Sequence, residues 1–249
     1  MRTLENYSYI WAQTTGLMKR LVLTAAVSML CAIFMSSEAS AQLAVYAGYQ
    51  RAQYIEGKAD DKPFNGFRLR WDYTWMFHKY LGTSLGIGYS FDTRTDGEFQ
   101  FPGEVSASHS TQEQYAYIPL RLVINLPVYK DFAIELYGGA AVSYAIKGTE
   151  TFDFTDGVDE PLSFTYDMYA DKISSDDLPP YIIDAVNSRI GRDKYERFGI
   201  EMLAGAGLRL TRNIRLEGGL SWCLTNQLKN DEDGDMKRKL WTVGISYVF

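Results

Sequence analysis

Eight stretches of alternating apolar and polar residues follow Gln42, each roughly ten residues long: Leu43 to Arg51, Gly66 to Phe77, Leu81 to Thr93, Gln114 to Leu126, Phe132 to Lys147, Arg197 to Leu210, Ile214 to Thr225 and Lys239 to Phe249. A period of two places successive side chains on opposite faces of a strand, and about ten residues is what a tilted strand needs to cross a bilayer. The connections alternate as well. Those at His78-Lys79-Tyr80, Pro127 to Asp131 and Thr211-Arg212-Asn213 are tight, whereas Ala52 to Asn65, Arg94 to Glu113, Gly148 to Glu196 and Asn226 to Arg238 are longer. Short turns at one end and long loops at the other belong to transmembrane barrels, with the turns periplasmic. The expected fold is therefore all-β: an eight-stranded antiparallel up-and-down barrel crossing the outer membrane, with long extracellular loops.

Alternation alone does not say which face points inward, because a soluble barrel alternates with its apolar side inside. Side-chain size decides. The third stretch sets Gly82, Ser84, Gly86, Gly88 and Ser90 against Leu81, Leu85, Ile87, Tyr89 and Phe91. The sixth sets Gly199, Glu201, Gly205, Gly207 and Arg209 against Phe198, Ile200, Met202, Ala204 and Leu208. A water-facing surface has no need to be so small, while the bore of an eight-stranded barrel is only just wide enough for side chains. With the apolar face turned to lipid, Arg68, Arg70, Arg121, Arg209 and Arg215 point inward, and so do Asp72, Asp92, Glu135, Glu201 and Glu217. Charges kept from water must be paired or they cost several kcal/mol each, on the order given for buried ions. This balance reads as an ionic network filling the lumen, with a polar channel lining as the competing reading.

The aromatic excess, 18 Tyr, 13 Phe and 5 Trp, falls into two girdles. Tyr49, Phe67, Tyr89, Phe91, Tyr144, Phe198, Trp222 and Trp241 lie near the loop ends, and Trp75, Phe77, Phe132, Tyr247 and Phe249 near the turn ends. Such rings settle at the headgroup level. Trp71 and Tyr73 fall nearer the middle of the bilayer.

Residues 1–41 read as an export region. Met18-Lys19-Arg20 precedes the apolar run Leu21 to Met35, and Ala39 and Ala41 form an A-x-A cleavage site, so 18–41 is the expected signal peptide, cleaved after Ala41, with 1–17 upstream of the expected start. The barrel domain is then 42–249. Loss of the export region takes Arg2, Lys19, Arg20, Glu5 and Glu38, so that 22 of 25 basic and 29 of 31 acidic side chains remain, a net charge of −7. Nucleic acid is excluded as a partner by that balance. Only Cys223 remains, which rules out an intrachain disulfide.

In these features the chain resembles the small eight-stranded outer-membrane barrels of Gram-negative bacteria, of the outer membrane protein A and X type. Tyr117-Ile118-Pro119-Leu120-Arg121-Leu122 also resembles the "IPL-x-L" segment of PorT-like and related "outer membrane protein beta-barrel domain" sequences. The likeness spans Gln42 to Phe249. It implies contact with outer-membrane lipid and lipopolysaccharide, and insertion by the barrel-assembly machinery, which recognises a terminal aromatic. Trp241, Tyr247 and Phe249 of the last strand are the residues matching such an assembly signal. The fold does not fix an activity, since it carries adhesins, secretion-machinery parts and a few enzymes.

The third long loop, 148–196, is where a surface or envelope protein partner would dock. Its segments Thr149 to Phe154 and Leu162 to Tyr166 alternate, which predicts a hairpin rising above the membrane, and Ile182, Ile183, Val186 and Ile190 predict a short amphipathic helix after Asp177. Twelve acidic and four basic residues make this loop a solvated surface or an attractor of divalent cations and basic proteins. Asp231 to Asp235 fails the EF-hand pattern, because Lys229 and Leu240 would occupy ligand positions. No metal site, cofactor or catalytic residue is expected. Ser108-His109-Ser110 shows neither an orienting carboxylate nor an oxyanion site. The expected function is that of a non-enzymatic barrel with a plugged lumen, acting in surface interaction or adhesion or as an envelope-machinery accessory. The alternatives are a narrow diffusion channel for small solutes and a lipid-modifying enzyme.

Overall fold

The computed structural model describes residues 40–55, 62–101, 105–156, 162–169, 195–228 and 236–249. Of the expected signal peptide 18–41, all but Ser40 and Ala41, which open the first strand, lies outside the described residues, as do the helix after Asp177 and the acidic turn 231–235. Among those described, the strands are β1 (Ser40–Ile55), β2 (Phe64–His78), β3 (Leu81–Phe101), β4 (Val105–Tyr129), β5 (Phe132–Asp156), β6 (Leu162–Asp167), β7 (Phe198–Arg209), β8 (Ile214–Cys223) and β9 (Lys237–Val248).

The sheet runs β4-β3-β2-β1-β9-β8-β7-β5, and a further pairing of β4 with β5 closes it into a ring, with β6 attached to the outer part of β5. Closure between the first and last strands runs from Ala44 opposite Val248 to Ile55 opposite Lys237. The Phe249 N–H donates to the Leu43 carbonyl at 2.9 Å, extending that seam by one bond. A closed ring satisfies the backbone from strand to strand and leaves no edge in the lipid layer.

Two turns are two residues long, Lys79-Tyr80 and Lys130-Asp131, and Lys130 has φ 46°, a left-handed conformation common at the first central position of a tight hairpin. At the third, the Thr211 hydroxyl accepts from the N–H groups of Asn213 and Ile214 at 3.3 and 3.1 Å.

Burial is inverted relative to a water-soluble protein. Ile87 is 59 % and Leu120 56 % exposed on the outer face, while Asp72 and Ser84 on the inner face are 0 % exposed. A continuous apolar outer wall of this extent is stable only with lipid as its solvent. Phe67 packs against Phe91 and Tyr89 at 5.6 and 6.2 Å and Tyr49 against Trp241 at 5.9 Å near the long-strand end, and Tyr247 meets Phe249 at 5.0 Å near the turn end. Trp71 and Tyr73 lie outside at mid-wall, opposite Ile87 and Leu85. Pro119 keeps its register with Ala141 of β5, and the pairing of β4 with β3 is interrupted between Leu85/Leu120 and Gly88/Tyr117. A residue without an N–H is tolerated inside a sheet at such a break.

The loop expected over Arg94 to Glu113 is corrected by the structure. It is strand up to Phe101 and again from Val105, with Thr95 opposite Ser110 and Phe101 opposite Val105. The hairpin expected at the start of 148–196 is present, pairing Phe154 with Leu162 through to Thr149 with Asp167. Four strands, β3 to β6, thus continue past the aromatic belt as a projecting sheet. Their outer face changes there from Leu, Ile and Tyr to Thr, Ser, Gln and Asp, which removes the apolar alternation that marks a strand within lipid.

Candidate functional site

The bore is filled by charges arranged along the barrel axis, and strand alternation places them. Nearest the turns, Glu135 of β5 is bound by Arg209 of β7 and by Arg215 of β8, the latter at 2.6 Å. One step up, Glu217 of β8 takes Arg215 at 2.7 Å, Arg70 of β2 at 2.6 Å and Arg121 of β4 at 3.5 Å, and accepts from the Ser246 hydroxyl of β9. Asp72 holds the same two cross-bore arginines, Arg70 at 2.6 Å and Arg121 at 2.9 Å. Above this, Arg68 and Glu201 approach to 3.7 Å. Higher still, Asp92 binds Arg238 of β9 and accepts from Gln50 of β1 at 2.5 Å. All ten charged residues named from the sequence sit on the inner face, and they meet in three groups: Arg209, Glu135, Arg215, Glu217, Arg70, Asp72 and Arg121 in one, Arg68 and Glu201 in a second, and Asp92 with Arg238 in a third.

Sequence reasoning missed Arg238 and Glu113. The last strand starts two residues earlier than the alternation suggested, which brings Arg238 in, and Glu113 stands on strand that had been read as loop. Glu113 accepts from Tyr54 at 2.6 Å and Tyr115 at 3.1 Å. Among the described residues, the guanidinium groups of Arg68, Arg70, Arg121, Arg209, Arg215 and Arg238 thus share the column with the carboxylates of Asp72, Asp92, Glu113, Glu135, Glu201 and Glu217.

A second missed layer explains the small inner wall. Tyr46, Tyr117 and Tyr137 lie across the bore, and each carries an arginine on its free side: Arg70 over Tyr46 at 4.5 Å, Arg68 over Tyr117 at 3.6 Å and Arg121 over Tyr137 at 4.9 Å. A Cβ on Gly219 would stand 2.6 Å from the Tyr137 hydroxyl, and one on Gly88 would enter the Tyr117 ring. Glycine, tyrosine and arginine therefore stack from wall to axis, joining ring packing to cation–π attraction. Tyrosine at positions of polar parity, as at Tyr46 and Tyr117, is the signal that could have disclosed this.

A cavity of about 30 Å³ lies among Arg68, Arg70, Tyr117, Arg121, Tyr137 and Thr242, and another of about 10 Å³ among Thr74, Arg121, Glu135, Arg215 and Glu217. These are the size of single water sites. At the turn-side mouth lies a larger hollow, about 300 Å³, bordered by Gln42, Asn125, Lys130, Asp131, Arg209 and Arg212. At the other end Met168 and Tyr169, which follow β6, pack on Tyr115 and Ala145 with Tyr195 beside them. Burial, with Glu113 nearby, pushes the Tyr169 phenol up, so this covering ring stays neutral.

His109 is 5 % exposed, stacks on Phe152 at 4.5 Å and lies 3.2 Å from Glu150. A carboxylate partner thus exists where the sequence showed none. Ser108 and Ser110, however, alternate to the opposite face of β4, which prevents either from acting with this imidazole as a nucleophile pair. Among the described residues, no group of three or more His, Cys, Asp or Glu side chains is placed to hold a metal ion.

A family model described as "Outer membrane protein beta-barrel domain" matches residues 22–249. No curated protein matches the sequence. Among solved structures, Ail, the attachment invasion locus protein of Yersinia pestis, is similar at 14 % identity and a TM-score of 0.42, over 84 % of this chain and 99 % of that one. Neisserial surface protein A is similar at 14 % identity and a TM-score of 0.40, over 86 % and 100 % of the two chains. OprG, an outer membrane protein from Pseudomonas aeruginosa, is similar at 11 % identity and a TM-score of 0.37, over 84 % and 96 %.

Proposed function

Since the chain belongs to the outer membrane protein beta-barrel domain family, we propose that it is a plugged, non-enzymatic barrel of the outer membrane whose work is done by its projecting sheet, in surface interaction or as an accessory of the envelope. One observation carries this reading: Glu217 of β8 is tied at 2.6 Å to Arg70 of β2 and at 3.5 Å to Arg121 of β4. Both partners stand three strands away around the ring, in opposite directions, so these bonds cross the bore. A diffusing solute would have to separate buried ion pairs, each worth several kcal/mol to break.

The membrane-spanning wall contributes anchoring. The terminal strand contributes closure, and Trp241, Tyr247 and Phe249 fit the assembly signal of the family. The strands that extend beyond the lipid then remain as the surface a partner would meet.

Solute retention tests the reading. Vesicles carrying the folded protein should hold a small sugar and a small ion as well as protein-free vesicles do. Rapid efflux of either would place the function in transport instead.

A further inference from the structure

The hollow at the turn end of the bore is required neither by closure of the ring nor by the ion-pair column. Its volume, about 300 Å³, is the size at which small-molecule sites begin, about 300 Å³. Its wall is made of inward positions: Gln42 of β1, Asn125 of β4, Ala133 of β5 and Arg209 at the end of β7. Two turns supply the rim, through Lys130, Asp131 and Arg212. Because the strand residues alternate into the bore, the hollow opens along the barrel axis and not toward the surrounding lipid.

Charge sets this hollow apart. The chain as a whole carries −6, yet each of the three turns at this end holds one cation, Lys79, Lys130 and Arg212, against the single carboxylate of Asp131. Asp131 is taken by Arg212 at 3.0 Å, and Glu135 beneath is already bound by Arg209 and Arg215. The Lys130 ammonium meets the Tyr129 ring at 5.1 Å and, among the described residues, pairs with no carboxylate. The Arg212 side chain is 83 % exposed, so its remaining donors are open to solvent. Arg209 is fixed in place, its Nη2 donating to Glu135 and, at 3.4 Å, to Gln42. Positive charge in excess of its partners thus gathers in a concave mouth, which concentrates anions there.

The lining also selects among anions. Asn125 and Gln42 add amides, the groups that pair with peptide N–H and carbonyl, and Pro127 and Ala133 add small apolar surface. An inorganic phosphate brings a second charge to face Asp131 and no amide for Asn125, whereas a peptide terminus brings one charge with an amide beside it. We propose that the turn-side hollow is a site for the terminal carboxylate of a periplasmic peptide, held by Lys130 and Arg212 at the rim and Arg209 at the floor, with Asn125 on the adjoining amide. The inference rests on the reading of the turn end as periplasmic and adds a second working surface, at the opposite end from the projecting sheet.

The complete protein, folded in zwitterionic detergent, is titrated with N-acetyl-alanyl-alanine, with the same dipeptide amidated at its carboxyl end and with inorganic phosphate, binding being read by saturation-transfer NMR or, for phosphate, by displacement of the dipeptide. The free acid should bind, and the amide roughly tenfold more weakly, since hydrogen bonds to a charged group are lost. K130Q/R212Q, which changes turn residues alone, should weaken the free acid by roughly tenfold or more. Should that variant fail to fold, as read by heat-modifiable mobility, R212Q takes its place and should weaken binding roughly threefold. No binding of the free acid, equal binding of acid and amide, tighter binding of phosphate, or unchanged affinity in the folded variant would overturn the proposal. Lipid nanodiscs of phosphatidylcholine with and without phosphatidylglycerol separate the two sources of anion: dipeptide affinity should be the same in both, and its loss beside the anionic lipid would assign the cations to headgroups instead. Orientation is read separately, by protease access to a tag inserted at 158 in intact cells, and solute efflux reads the plug, so failure of the carboxylate site is distinguishable from failure of the broader reading.

Discussion

Replacing Glu217 by alanine removes the carboxylate at which Arg70, Arg121 and Arg215 meet. Breaking a buried pair costs about 3–5 kcal/mol when it leaves a charge uncompensated. Here each arginine keeps a second carboxylate: Asp72 remains 2.6 Å from Arg70 and 2.9 Å from Arg121, and Glu135 remains 2.6 Å from Arg215. The loss should fall at the lower end, about 3 kcal/mol, or roughly a hundredfold in the ratio of folded to unfolded protein. E217Q, which preserves the shape and one acceptor oxygen, should lose less. Urea unfolding of the protein folded into vesicles, followed by tryptophan fluorescence, measures both. A loss in E217A below about 1 kcal/mol, the range of solvent-exposed pairs, would refute a desolvated lattice and mean that water reaches these groups.

The stacked interior and the wall supply further tests. G205V would drive a side chain into the Tyr137 ring and should cost about 1–3 kcal/mol by overpacking, read in the same urea titration, whereas an unchanged midpoint would contradict the stacking. Deleting Phe249 removes its contact with Tyr247 and the bond from its N–H to Leu43. Outer-membrane yield in cells should fall, and a normal yield would count against an assembly role for this residue. H109A should leave the lipid A composition of the membrane unchanged by mass spectrometry, because the adjacent serines face away from the imidazole, and a changed composition would revive the enzymatic alternative.

The membrane wall was legible because lipid imposes a rule that sequence shows directly: every second residue from Leu81 to Phe91 must suit hydrocarbon, and the others must fit a narrow bore. Past Phe91 that rule lapses. Thr93 and Thr95 continue the outward face in a polar layer, so nothing in the residue types separates strand from loop, and the extension of β3 and β4 was read as a connection. The ion-pair residues were recoverable from parity, but their partners were not. Which strands face one another across the bore depends on the ring's curvature, and that is why Asp92 could be named while its partner Arg238 could not. The tyrosine layer stayed hidden for a different reason, since a phenol is at home on either face, and Tyr117 inside and Tyr89 outside differ only in register.

Single-channel recording in planar bilayers reads directly whether the bore is closed. Wild-type protein should insert without stable conductance, and R121A/E217A, which removes one cross-bore pair of opposite charge and leaves the column neutral, should show small steady steps as the cavities beside Arg121 join. Stable conductance from the wild type, unaltered in R121A/E217A, would contradict a lumen sealed by these charges.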